Sequence, residues 1–254
     1  MYHGLTIGGK HTWTDWRLIP TEPPFFPLPD YDRSTLTLPG TDFDLDVSLA
    51  QYGHLRYSYR EKTVTFRVMS DYLTPDEQVA SIADYVHGKY LSVVRDDDPH
   101  YTYRGRVSVG GLSTAGAWPT VEIKFVLEPY RYGPRTIAQM AAGKTTLMIT
   151  NGGTTAAPCA VTISPINAVT EVTLTGIAFR PLTGEDCPIT VRNLTKDDPV
   201  TLDGETCLIT SGSGTNRFGD VTMTEFPALI AGTNIISCNS DQVSLLVAYT
   251  PRRL

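Results

Sequence analysis

Hydrophobic and polar side chains alternate along several segments in the first half of the chain. The clearest segment is 118–135, where Val121, Ile123, Phe125 and Leu127 are separated mostly by charged residues. A period of two predicts a strand with one buried face. Pro129 must end this strand, because proline has no N–H to donate to a neighbouring strand. We therefore predict that the last strand of a first domain lies here, followed by a hinge into a second domain.

One segment of the first half has a helical pattern. Thr74, Pro75 and Glu77 form the signature of a capping box with proline at the first helical position. Apolar residues then recur every three or four positions as far as Tyr90. We predict one helix over about residues 75–90. The other apolar alternations predict β structure, including a hairpin that joins residues 55–59 to residues 63–69.

The second half contains many short apolar runs separated by glycine, asparagine, aspartate and proline, and it has no helical pattern. This pattern predicts a β-sandwich. Residues 138–145 resemble a relaxed phosphate-binding loop, but no buried strand precedes them and no helix follows, so we predict a linker there. The fold is therefore predicted to be mainly β, with domains at 1–132 and 133–254.

A proline-dense stretch, residues 20–29, cannot form regular structure. It contains Pro24, Phe25, Phe26 and Pro27, which have the spacing of a PxxP peptide ligand. The alternative is an arm that packs on its own protein or on a neighbouring subunit. We favour a candidate intersubunit arm, because the two phenylalanine rings need a place to be buried.

Charge and composition narrow the possible partners. The net charge is -6 and no basic patch is present, which argues against stable binding to a nucleic-acid backbone. The N-terminal residues lack the pattern of a signal peptide, and no apolar run reaches membrane-spanning length, so we expect no membrane anchor. The four cysteines lie in the second half without metal or redox spacing, and we expect reduced, mostly buried thiols.

Candidate catalytic and metal-binding groups are weak. The alternating Asp42, Asp44 and Asp46 lack the glycine and glutamate of a calcium loop, and the three carboxylates of residues 96–98 fit a solvated acidic turn better than a metal site. No hydrolase or zinc motif occurs. We therefore predict no catalytic residues, no metal and no cofactor, and a protein that is not an enzyme.

Carbohydrate binding by the second domain is an alternative function. A β-sandwich can bind sugars by stacking them on exposed aromatic rings. After Tyr132 the chain has few aromatic residues with which to do so, namely Phe179, Phe218, Phe226 and Tyr249. The alternative therefore has little support from the residues.

Several segments, taken in their order, resemble the distal tail proteins of long-tailed bacteriophages, the baseplate hub component often called Dit. In the first domain they are LPGTDFDLDVS (38–48), YGHLRYSYREKTVTF (52–66), the helix followed by GKYLSVVRDDDPHYTYRGRV (88–107), and FVLEPYRYG (125–133). In the second they are NGGTTAAP (151–158), LIAGTNII (229–236) and VAYTPRRL (247–254). The arm departs from the family's pattern. The motif positions we single out are Pro39, Gly40, Gly53, Tyr57, Arg60, Pro129 and Tyr130.

The resemblance implies a structural, non-enzymatic protein of the virion tail tip, made in the bacterial host cytoplasm. Its first domain would have a tail-tube-like fold and close into a homo-hexameric ring through which DNA passes without stable binding. Its second domain would be a galectin-like sandwich that projects outward. The implied partners are the tail tube protein and the tail-associated lysin or hub protein, with receptor-binding proteins as further candidates on the outer domains.

Overall fold

The computed structural model describes residues 3–50, 53–69 and 73–254. The described chain is mainly β with one α-helix, which confirms the predicted fold class. Tyr52, the first residue of one of the family-like segments, lies outside the described residues. No helix in the described part of the chain is both long enough and apolar enough to cross a membrane.

The elements in the first part of the chain are, in order, β1 Leu5–Ile7, β2 Lys10–His11, β3 Leu18–Pro20, β4 Thr35–Leu36, β5 Leu45–Asp46, β6 Arg60–Val68, α1 Pro75–Val86, β7 Lys89–Arg95, β8 Asp98–Ser113, β9 Thr120–Leu127 and β10 Arg131–Tyr132. Those that follow are β11 Thr136–Met140, β12 Thr146–Asn151, β13 Ala157–Pro165, β14 Val169–Thr175, β15 Ile189–Leu194, β16 Val200–Asp203, β17 Leu208–Ser211, a 3-10 helix Phe218–Asp220, β18 Val221–Thr222, β19 Ala228–Leu229, β20 Gly232–Cys238, β21 Val243–Tyr249 and β22 Arg252–Arg253.

The chain forms two compact units. The first unit consists of Met1–Asp32, Arg56–Tyr132 and Leu254, and the second consists of Arg33–Leu55 and Gly133–Arg253. A domain, in contrast, is a part of the chain that could fold alone, and compactness does not establish that property. The ranges 1–132 and 133–254 therefore stay a prediction about domains.

The first unit is built on an antiparallel sheet with the strand order β2–β1–β7–β8–β9–β6–β3. The long strands β8 and β9 pair with Val107 opposite Phe125. Every second side chain of β9 is fully buried, as the period of two predicted. These side chains are Val121, Ile123, Phe125 and Leu127. They form one apolar core together with side chains of α1 and of the arm.

The helix α1 begins at the predicted capping box. Thr74 Oγ1 accepts a hydrogen bond from the Glu77 N–H (3.3 Å), and the Glu77 carboxylate accepts one from the Thr74 N–H (2.9 Å). The predicted end near residue 90 is wrong, because α1 ends at Val86 and His87 already has extended backbone angles. Tyr90 lies in β7 opposite Arg106, so the pairing of β7 with β8 overrides the apolar period that continues past the helix.

The predicted hairpin between residues 55–59 and 63–69 is also wrong. β6 lies between β3 and β9 and does not pair with residues 55–59. Tyr57 pairs instead with Tyr31, which is distant in sequence. Local alternation identified a strand correctly but could not identify its partner.

The second unit contains two large antiparallel sheets besides the two-stranded β4–β5 hairpin. One has the order β11–β21–β13–β16–β17 with β19 beside β13, and the other has the order β12–β20–β14–β15–β18. Buried side chains from both sheets, such as Val161 and Val172, belong to one apolar core, so the sheets form a sandwich. The linker predicted over 138–145 is wrong in its first part, because Ala138 lies in β11 opposite Val247.

Candidate functional site

The arm, residues 20–29, packs against the rest of the first unit. The prediction that the whole stretch lacks regular structure is wrong at its first residue, because Pro20 lies in β3 opposite Phe66. Its Phe26 is 2% exposed, and the ring lies edge-on to Tyr103 (centroid distance 4.9 Å) and to Phe125 (5.4 Å). The neighbouring Phe25 is 60% exposed. Of the two phenylalanine rings predicted to need burial, one is thus buried in its own chain, and the other remains exposed.

A buried arginine fixes the arm to the sheet. The Arg60 guanidinium donates from Nε (2.9 Å) and Nη2 (2.7 Å) to the carbonyl oxygen of Pro129, and from Nη1 (2.9 Å) to that of Pro27. Arg60 is only 3% exposed, and its guanidinium lies 5.7 Å from the Tyr103 ring centroid. Burial lowers the pKa of Arg60, but an arginine remains cationic at neutral pH. Its planar fork suits two separate carbonyl groups better than a lysine would.

Tyrosine residues lie at the C-terminal end of the arm. Tyr57 pairs with Tyr31 along the backbone, and its ring lies edge-on to Tyr130 at a centroid distance of 6.2 Å. The Asp32 N–H donates to the Arg56 carbonyl oxygen at 2.8 Å. The structure therefore brings together two groups that were predicted separately, arm residues and motif positions. We call this cluster the latch: Phe26, Pro27, Tyr57, Arg60, Pro129 and Tyr130.

A two-stranded hairpin over residues 35–46 carries the next motif positions. Its strands β4 and β5 pair Thr35 with Asp46 and Leu36 with Leu45, apart from the larger sheets of the second unit. The same register brings Thr37 opposite Asp44, and the Thr37 hydroxyl donates to the Asp44 carboxylate at 2.8 Å. One face of this hairpin is thus polar. The other, which we call the hairpin face, carries exposed apolar side chains: Leu36, Leu38, Phe43 and Leu45.

Two glycines among the motif positions have different roles. Gly40 follows Pro39 at the hairpin tip with φ +88°, the combination of a type II turn. Gly53 has φ +71°, and a Cβ atom there would lie 2.7 Å from the backbone of Pro181 and Leu182. The chain can therefore pass this loop of the second unit closely only with glycine at position 53.

An acidic residue missed by the sequence predictions organises a tyrosine cluster on the first unit. The Glu128 carboxylate accepts hydrogen bonds from the hydroxyl groups of Tyr90 and Tyr132. Burial, together with the Glu128 carboxylate, raises the pKa of the Tyr90 phenol. The Arg104 guanidinium lies 4.2 Å from the Tyr132 ring centroid. Tyr90 was predicted to lie in the helix, and its contact with Glu128 was therefore not expected.

The acidic turn is paired with two histidines rather than only solvated. The Asp96 carboxylate contacts His11 Nε2 (3.1 Å) and accepts from the Gly4 N–H (2.8 Å), while Asp97 contacts His3. The hydrogen bond to His3, followed by one from Arg95, lowers the pKa of Asp97. These pairs connect the N-terminal strand to the turn between β7 and β8.

The latch and the hairpin are candidates for contacts with other proteins. Within the described residues, no group of three or more histidine, cysteine, aspartate or glutamate side chains could hold a metal ion. The latch holds the arm against the sheet, and the hairpin exposes an apolar face. Exposed apolar faces of this kind mark protein contacts.

Comparison with known proteins shows which solved structures have a similar fold. No family model matches the chain, and no curated protein matches its sequence. The crystal structure of the Dit protein of phage SPP1, described as a paradigm of the hub adsorption apparatus in phages that infect Gram-positive bacteria, matches with a TM-score of 0.74. The match has 14% identity and covers 100% of both chains.

Two structures of the phage P2 baseplate in its activated conformation also match. The structure with Ca has 10% identity and a TM-score of 0.45 over 99% of this chain and 98% of the other, and the structure with Sr has 9% identity and a TM-score of 0.41 over 97% of each. The likeness to the SPP1 protein confirms the predicted resemblance at the level of the fold.

Proposed function

We propose that this chain is a structural, non-enzymatic protein of a phage tail tip that acts as a baseplate hub. The observation that carries the proposal is the full-length likeness to the SPP1 hub protein, at a TM-score of 0.74. The absence of a metal cluster among the described residues and the exposed apolar hairpin face both suit an assembly part.

In the proposed assembly, six copies form a ring around the DNA channel, with a tail-tube-like first domain in the ring and a galectin-like second domain outside it. A ring with rotational symmetry needs two different complementary surfaces on each copy. The exposed Phe25 on the arm and the hairpin face supply apolar material for such contacts. The net charge of -6 suits a channel through which DNA passes without being held.

The proposed partners are the tail tube protein on one side of the ring and the tail-associated lysin or hub protein on the other. The outer second domains are candidate docking sites for receptor-binding proteins. The protein would be made in the bacterial host cytoplasm and assembled into the virion tail. Neither a cofactor nor a membrane anchor is needed for this role.

The test is the mass of the purified chain by light scattering, followed by negative-stain imaging. Six copies of 27.9 kDa give about 167 kDa, and we expect ring-shaped particles of that mass. A protein that remains monomeric across a broad concentration range, with no rings in the images, would contradict the hexameric hub.

The alternative, carbohydrate binding through the second domain, gains little from the structure. Among the described aromatic residues after Tyr132, Phe218 is the one with a strongly exposed ring, and Tyr249 is buried. A single ring gives a poor stacking platform for a sugar. Saturable binding of the full chain on a glycan array would nevertheless establish the alternative.

A further inference from the structure

His11 caps the turn that follows β2. Its ring nitrogen Nδ1 accepts hydrogen bonds from the backbone N–H groups of Trp13 and Thr14, both at 3.2 Å. Its own backbone N–H donates to the Asp15 carboxylate at 2.8 Å, and the Asp15 N–H donates to the His11 carbonyl oxygen at 3.1 Å. The ring nitrogen therefore takes the place of the side-chain oxygen that usually caps a turn or a helix.

These contacts determine which ring nitrogen carries the proton. A backbone N–H can only donate, so Nδ1 must offer a free lone pair, and in the neutral ring the proton then lies on Nε2. The His11 Nε2 atom lies 3.1 Å and 3.2 Å from the two oxygens of the Asp96 carboxylate, to which it donates. Gly4 packs beside this pair, and a Cβ atom at position 4 would lie 2.5 Å from His11 Nε2. The imidazole is thus held as the Nε2–H tautomer.

Carboxylates approach His11 from two elements. Asp15 lies on its own turn, and the hydrogen bond from the His11 backbone is the chief cause that lowers the pKa of Asp15. Asp96 lies on the turn between β7 and β8 and faces the ring. The remaining charged groups of these two turns have other partners: Lys10 lies over the Tyr85 ring, His3 and Arg95 pair with Asp97, and Arg131 pairs with Asp98.

A second proton on the His11 ring has two opposite effects. It strengthens the contact with Asp96, but this pair is partly exposed, with side-chain exposures of 23% and 34%, and such ion pairs contribute little to stability. It also changes Nδ1 from an acceptor into a donor, so that the N–H groups of Trp13 and Thr14 lose their acceptor. Because the hydrogen bond to Asp96 is already made by the neutral ring, the loss at Nδ1 outweighs the gain.

The capped turn connects the two ends of the sheet in the first unit. β2 lies at one end of the strand order and β3 at the other. Inside the turn, the buried Thr12 donates its N–H to the Leu5 carbonyl oxygen and accepts at its own carbonyl oxygen from the Leu18 N–H, both at 2.8 Å. Trp16, at the end of the turn, is buried in the core. Loss of the cap should therefore loosen the connection to β3, the strand from which the arm begins.

We propose that His11 is an acid-sensitive cap of the N-terminal part of the first unit. As a neutral ring it holds the turn over residues 11–16, and uptake of a proton at Nδ1 releases that turn. The relevant range is the one in which histidine side chains ordinarily change charge, roughly pH 5–8. The inference is independent of the proposed hub, because it follows from contacts within one chain.

Hydrogen exchange of the full chain, measured by mass spectrometry of its peptides, tests the cap. We compare wild type with His11→Asn at about pH 8 and about pH 5.5, since an asparagine oxygen can accept from the same two N–H groups but does not titrate. Both proteins keep His3, so the effect of its pair with Asp97 cancels. Residues 11–18 should exchange alike at the higher pH, and at the lower pH wild type should exchange at least roughly fivefold faster.

Wild type also carries an internal reference. Residues 133–254 contain no histidine, so a peptide from this part that exchanges at a similar rate at the higher pH serves for comparison. The ratio of exchange in residues 11–18 to exchange in the reference removes the general dependence of exchange on pH. This ratio should rise on acidification. The measurement needs no variant and therefore holds even where His11→Asn does not fold.

Asp96→Asn separates the cap from an ordinary ion pair. The amide oxygen can still accept from His11 Nε2, but the carboxylate that favours the charged ring is gone, so the turn should open at a higher pH than in wild type. In an ordinary ion pair between His11 and Asp96, acidification would instead protect the turn, and Asp96→Asn would remove that protection. Slower exchange of residues 11–18 in acid relative to the reference, or equal exchange in wild type and His11→Asn at both pH values, would overturn the proposal.

Discussion

The two units of this protein bury different kinds of side chain. The core of the first unit is rich in aromatic residues, namely Trp16, Phe26, Phe66, Tyr103 and Phe125. Among the described residues, the core of the second unit is aliphatic, with three cysteines and a single buried tyrosine, Tyr249. The first unit also contains the buried Arg60, whereas the buried polar residues of the sandwich are uncharged, such as Asn151 and Asn234.

This difference indicates how each unit is specified. Aromatic pairs prefer particular angles, and a buried guanidinium needs its acceptors in fixed places, so the arm of the first unit has one well-defined position. Aliphatic layers tolerate changes of shape more easily, provided that volume and pattern are kept. The position of the arm is therefore specified more strictly than any one layer of the sandwich core.

The chain carries a natural probe for each unit. All three tryptophans, Trp13, Trp16 and Trp118, belong to the first unit, so their fluorescence reports its unfolding. All four cysteines belong to the second unit, and three of them are buried. Burial raises the pKa of the Cys159 thiol to about 12, which suppresses its reactivity in the folded state. Labelling of the buried thiols therefore reports unfolding of the sandwich.

The largest loss of stability should come from truncating a large buried side chain in either core. Phe26→Ala should cost about 3–5 kcal/mol and Leu245→Ala about 2–5 kcal/mol, because each removes a fully buried apolar side chain and leaves a cavity. We expect Phe26→Ala to lower the urea midpoint of tryptophan fluorescence alone. Leu245→Ala should lower the midpoint of thiol labelling alone.

This pair of variants also tests the predicted domains 1–132 and 133–254. Separate responses mean that each unit unfolds by its own transition. If either variant moved both midpoints by the same amount, the units would unfold together, and the difference in core chemistry would have no consequence for stability. A Cys207→Ser background keeps the exposed thiol from contributing to the labelling signal.

The next largest effect concerns the latch. Arg60→Met removes three hydrogen bonds to the carbonyl oxygens of Pro27 and Pro129 and should cost about 1–3 kcal/mol in the tryptophan transition. Arg60→Lys should not restore stability, because an ammonium group lacks the planar fork that reaches both carbonyls. Arg67→Lys, an exposed position on the same strand, is the matched control. Full rescue by lysine would show that charge alone holds the arm.

Local features were predictable from the sequence, and long-range pairings were not. The capping box at Thr74 was found because its residues are three positions apart, and the sandwich was predicted from short apolar runs separated by turn residues. Arg60 was singled out, but its partners Pro27 and Pro129 are 33 and 69 positions away. No periodicity can reveal such contacts. The same applies to Tyr57, whose partner Tyr31 replaced the hairpin expected from local alternation.

A smaller effect is expected at α1, which is the one α-helix among the described residues and belongs to the first unit. Thr74→Ala removes the hydroxyl that accepts from the Glu77 N–H and should cost about 1 kcal/mol in the tryptophan transition. Ser81→Ala, an exposed position inside α1, should be neutral or slightly stabilising, because alanine has the higher helix propensity. An unchanged midpoint in Thr74→Ala would mean that the capping box contributes nothing to this unit.

The smallest effect should be a difference in acid sensitivity. The hydrogen bond to His3, and then that from Arg95, hold the pKa of Asp97 below its ordinary value of 3.8. A lowered folded pKa stabilises the protein above the unfolded value, and this contribution is lost as the pH falls through the folded value. From about pH 5 to about pH 3, the tryptophan midpoint should therefore fall less steeply in Asp97→Asn than in wild type. Asp46→Asn is the control, because the pKa of Asp46 is likewise lowered, chiefly by the Ser48 hydroxyl, but it lies in the second unit. An identical acid dependence in Asp97→Asn and wild type would mean that the contact with His3 does not stabilise the first unit.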